Sequence, residues 1–108
     1  MEMAKVRDRL REPEARILAL RIAAGRPNRE AETPFIKDRV PDYITLNELD
    51  LEPSKTRAGE PVWRQIVGNV VSHETTSTSI FTKGYAETIP DGIRVTDAGV
   101  AYLASLGF

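Results

Sequence analysis

Residues 61–73 read Pro61-Val62-Trp63-Arg64-Gln65-Ile66-Val67-Gly68-Asn69-Val70-Val71-Ser72-His73, and the rest of the chain is best understood outward from them. Val62, Ile66 and Val70 recur every four residues, as do Trp63, Val67 and Val71, which puts them on one face of an α-helix. Arg64, Gln65, Gly68, Asn69 and Ser72 fill the opposite face. Pro61 suits the first helical position, where a missing N–H costs nothing. Trp63 beside Val67 and Val71 reads as a core side chain, with a stacking platform as the alternative.

Downstream, Glu74-Thr75-Thr76-Ser77-Thr78-Ser79 is a hydroxyl-rich tract that favours turns over helix interiors. Tyr85–Ile89, the turn Pro90-Asp91-Gly92 and Ile93–Val95 read as a β-hairpin, with proline pre-setting one dihedral and glycine supplying a positive φ. Thr96 caps a closing helix from Asp97 to about Ser105, on which Val100, Leu103 and Leu106 form an expected buried stripe. Upstream, Thr45 followed by Glu48 predicts a capping box that opens a short helix from Leu46 to about Leu51, stopped at Pro53.

The first 24 residues are rich in helix formers. Met3, Val6, Leu10, Ile17, Leu20 and Ala24 lie on a heptad seam in which Pro13 takes the missing position. Proline predicts a kink or break near Glu12, and after a break it suits the start of a second helix ending at Gly25. Two readings of the seam stand: packing on its own domain, or a homodimer through residues 3–24. Residues 26–42, with Pro27, Pro34 and Pro41, read as a connector with a short extended piece at Pro34–Ile36. The expected division is therefore 1–25 as an N-terminal helix, 26–42 as connector and 43–108 as the main domain.

Short helix, amphipathic helix, hairpin and closing helix follow one another in the order of a winged helix-turn-helix. The residues that carry the likeness are Trp63–His73, Lys83-Gly84-Tyr85 and Asp91-Gly92-Ile93-Arg94-Val95-Thr96-Asp97-Ala98-Gly99. Over roughly residues 43–106 the chain resembles a winged-helix domain, and within that superfamily it is similar to the DNA-associated domains of Mrr-type restriction proteins. The resemblance implies an α+β, mainly α fold, a two-stranded hairpin wing, and double-stranded DNA as partner, bound by a small regulator or a restriction-related recognition domain. The other class of function the residues allow is a protein-interaction module on the same scaffold, because fold does not fix function.

Arg64 has the fork to read guanine, and Gln65 and Asn69 have carboxamides that pair with adenine in the major groove. Ser72, Thr75 and Thr76 offer hydroxyls to phosphates, and His73 an imidazole near a helix end. Lys55 and Arg57 before the helix, with Lys83 and Arg94 around the hairpin, complete the candidate DNA contacts. Five cations are few for a DNA reader, since phosphate contacts supply most non-specific affinity. Weak binding is expected from a monomer, and useful binding from a dimer or a fusion partner. Charge is also segregated: residues 1–29 carry +4, residues 30–62 carry −4 and residues 63–108 carry −1, for a net −1.

The chain has 108 residues, 41% hydrophobic and 29% charged, which is one ordinary globular domain. With no cysteine there is no disulfide scaffold or thiolate metal site. His73 is the one histidine, and no set of ligands at zinc spacing accompanies it; a triad with Ser72 or Ser77 fails because adjacent residues at one helix end do not easily face one another. A nuclease metal site fails as well: Glu52-Pro53-Ser54-Lys55 is one residue too long for an acid-x-Lys triplet, and proline disfavours the strand it needs. The glycines are too dispersed to cradle a nucleotide. No enzyme activity and no cofactor are expected. With no membrane-length apolar run, and with Glu2, Arg7 and Asp8 where a signal peptide is apolar, a cytoplasmic location is expected.

Overall fold

The computed structural model describes residues 9–54, 59–72 and 75–108. Helix α1 spans Glu12–Ala24, with Pro13 in its first turn beside Glu12 and Glu14, and Arg21 in its last. Acidic residues at the positive end and a cation at the negative end both favour the helix dipole. Arg9 and Leu10 precede it without helical structure, so proline starts a helix here. Leu10 and Leu20 of the seam are fully buried, and Ile17 and Ala24 pack against the same core. The described part of the seam therefore packs on its own chain; Met3 and Val6 lie outside the described residues.

The expected connector is not one. Glu30–Glu32 forms strand β1 and Thr33–Arg39 forms helix α2. Pro34 sits in the first turn of α2, where its missing N–H leaves no gap in the hydrogen-bond ladder. Ile36 and Val40, four residues apart, are both fully buried. Glu-Ala-Glu has little strand propensity; pairing with a later strand is what makes it one.

Helix α3 is shorter than expected, Glu48–Leu51, and its capping box is formed by Asn47 and Asp50 instead of Thr45 and Glu48. Asn47 Oδ1 accepts the Asp50 N–H at 3.0 Å, and Asp50 Oδ2 accepts the Asn47 N–H at 2.9 Å. The other Asp50 oxygen accepts the N–H of Leu10, forty residues earlier. That long-range contact ties the box to the chain just before α1.

Helix α4 spans Val62–Val71 as its spacing predicts, with Pro61 as its N-cap. Strands β2 (Ala86–Ile89) and β3 (Gly92–Val95) form the hairpin, and β1 adds to its far side, giving an antiparallel sheet in the order β1-β3-β2. The hairpin, expected to stand alone with two strands, is thus part of a three-stranded sheet. Asp91, with φ 60°, takes the left-handed turn conformation expected of Gly92. Glycine is needed at 92 for room: a Cβ there would lie 2.1 Å from the Ala31 carbonyl oxygen of β1.

Helix α5, Asp97–Ser105, is capped by Thr96, whose Oγ1 accepts the Gly99 N–H at 3.0 Å and donates to the Gly84 carbonyl. Of its expected stripe only Leu103 is buried; Val100 and Leu106 are exposed. One core joins all of this: α1 packs against α2, α4, α5 and β3, around Leu20, Ile36, Val67, Ile80 and Ile93. Trp63 is 4% exposed and belongs to that core. The N-terminal helix is an interior member of the fold, not an appendage to a domain beginning at residue 43.

Candidate nucleic-acid interface

Helix α4 lies against α1, α2 and α3. Trp63, Val67, Gly68, Val70 and Val71 are buried, and its other residues are half-buried, so none stands fully free in solvent. Its polar face is correspondingly occupied at the N-terminal end. The Arg64 guanidinium meets Asp38 of α2 at 3.2 Å and Glu60 at 3.9 Å, and lies 5.2 Å over the Trp63 ring. Glu60 also holds Lys37 of α2 at 2.9 Å, in a pair largely removed from solvent. Gln65 accepts a hydrogen bond from the Ser54 hydroxyl through its Oε1.

The C-terminal half of α4 is different. Asn69 is half-buried, and no hydrogen bond to its carboxamide forms among the described residues. Ser72 is exposed, and its hydroxyl donates to the Asn69 carbonyl at 2.8 Å. Gln65, Asn69 and Ser72 share one stripe by their spacing of four and three. Thr75 and Thr76 follow it, both exposed. Ser79 turns inward, where its Oγ accepts the Phe81 N–H at 3.0 Å.

Arg94 lies on the outer face of the sheet, opposite the side that buries Ile93 and Val95. In register it faces Glu30 on β1 and Glu87 on β2. Its Nε donates to Glu30 at 2.8 Å and its NH1 to Glu87 at 3.2 Å. These hydrogen bonds, Glu30's first, raise the pKa of Arg94 above its ordinary value. Lys83 is exposed and has no carboxylate partner among the described residues. Lys55, Arg57 and His73 lie outside the described residues.

The candidate contacts therefore divide. Asn69, Ser72, Thr75, Thr76 and Lys83 have no carboxylate partner among the described residues, whereas Arg64 and Arg94 are each held between two acids. Glu60–Arg64 was readable as an i, i+4 pair, and Glu87–Arg94 as a cross-strand pair once the hairpin was read. Asp38 and Glu30 gave no such signal, because α2 and β1 were themselves unexpected. Among the described residues no group of three or more His, Asp or Glu side chains is placed to hold a metal ion, and no helix is long and apolar enough to cross a membrane.

No family model matches the chain, and searches of curated proteins and of solved structures find no relative.

Proposed function

We propose that this chain binds duplex DNA through the C-terminal half of α4 and the segment that follows it. The observation that carries the reading is the set Asn69, Ser72, Thr75 and Thr76, none with a carboxylate partner among the described residues, at the end of the amphipathic helix that precedes a β-hairpin. Asn69 has the donor and acceptor to pair with adenine in a major groove. The hydroxyls and Lys83 contact phosphates, which position without specifying. Arg64 and Arg94 are given no DNA contact here, because each is already held between two acids.

Few free cations make for a shallow salt dependence. With Lys83, and Lys55 and Arg57 if both engage, the slope of log affinity against log salt is about −1 to −3. The test is selection from a random duplex pool at low ionic strength, followed by gel shifts on the recovered sequence. Asn69→Ala should relax base preference, Lys83→Glu should abolish the shift, and Arg94→Gln should leave it unchanged. Retention of no duplex at low salt, or equal binding by Lys83→Glu, overturns the reading. One observation favours a protein-interaction module instead: Leu49 and Leu51 of α3 are 45% and 56% exposed. Loss of DNA binding from every arm of the selection would leave that reading standing.

A further inference from the structure

A cavity of about 260 Å³ opens between α1, the segment before β2, and α5. Ile17, Leu20 and Ile80 make part of its wall apolar. Tyr85 and Tyr102 also line it, their rings stacked with centroids 4.3 Å apart and planes 9° from parallel. Two cations reach it, Arg16 and Lys83, and none of the described residues lining it is Asp or Glu. Such a wall, mostly apolar with a few convergent polar groups, is the usual make-up of a small-molecule site.

The charges point to the kind of occupant. Arg16 is shared with Glu12, 3.5 Å away on the preceding turn, whereas Lys83 has no acid partner among the described residues. The cavity thus has about one uncompensated positive charge, suited to a monoanion and poorly to a neutral molecule. A guanidinium takes a carboxylate in a fork of two hydrogen bonds, and charge-assisted bonds are the strong ones. Isoleucine, leucine and tyrosine walls require an apolar body behind that carboxylate. We infer that this cavity binds a small organic acid, one carboxylate on a compact aromatic or branched apolar body.

The site shares Lys83 with the DNA reading but does not rest on it, and its test contains no DNA. Benzoate serves as probe, with benzamide as its neutral counterpart and inorganic phosphate as an anion without an apolar body. Heteronuclear NMR titration of the full chain should show saturable shifts for benzoate, centred on Tyr85, Tyr102 and Lys83. Benzamide and phosphate should show none. Lys83→Gln and Arg16→Gln should each weaken benzoate by roughly tenfold; Lys83 is exposed, so its variant keeps the fold. Equal affinity for benzoate and benzamide, undiminished binding by Lys83→Gln, or no saturation at all overturns the inference.

Discussion

Asp50 shows how much one side chain can organise. It is fully buried, and its two oxygens take the backbone N–H groups of Asn47 and Leu10. An Asn at this position keeps the shape but gives up the charge and turns an N–H₂ toward one of the donors. Asp50→Asn should lose about 1.5–3 kcal/mol, the worth of hydrogen bonds to a charged group, read from urea unfolding. An unchanged midpoint would mean that the buried carboxylate is not what ties Leu10 down. Arg94 is the contrasting case of an exposed charge. Its raised pKa means its contribution is complete below the ordinary arginine value and is lost only as pH rises through the higher folded one. Across neutral pH the Glu30–Arg94–Glu87 ladder therefore does not respond to titration of the arginine.

At the scale of elements, legibility followed locality. Helix α4 was readable because two four-residue apolar series coincide within ten residues, and α5 because Thr96 caps it from next door. The hairpin was readable from Pro90-Asp91-Gly92, although the residue bearing positive φ is Asp91. Strand β1 was not, since Glu30-Ala31-Glu32 becomes a strand only through pairing with residues sixty positions later. The α3 box lies two residues later than expected, on an Asp50 that also holds Leu10, forty residues away in sequence. The candidate site follows suit, its hydroxyls and Asn69 legible and the acids that occupy Arg64 and Arg94 half hidden. Gly92→Ala tests the β1 contact directly. A Cβ 2.1 Å from the Ala31 oxygen must push β1 away, at a cost of about 1–3 kcal/mol for overpacking. Hydrogen exchange should quicken at Glu30–Glu32 while the β2–β3 amides stay protected; equal protection of β1 would show that the strand adjusts without detaching.

For the whole molecule, the position of α1 matters most. Ala15, Leu18, Leu20, Ile22 and Ala23 are all buried in the common core, so the chain cannot shed this helix and keep a folded remainder. A chain beginning at Arg26 should lack a cooperative thermal transition and lose most of its far-ultraviolet helical signal. A folded remainder with a sharp midpoint would restore the division at residue 25 that the sequence suggests. The described part of the seam, Leu10, Ile17, Leu20 and Ala24, is committed inward, while Tyr43, Leu106 and Phe108 are exposed.

The sheet has two open margins, β1 and β2, each with backbone groups that could recruit a stranger's strand. Both margins carry glutamates, Glu30 and Glu32 on one and Glu87 on the other. A neighbouring molecule approaching side-on meets negative charge at either border, with Arg94 screened between two of them. The acids that hold Arg94 thus also discourage edge-to-edge accretion into fibrils.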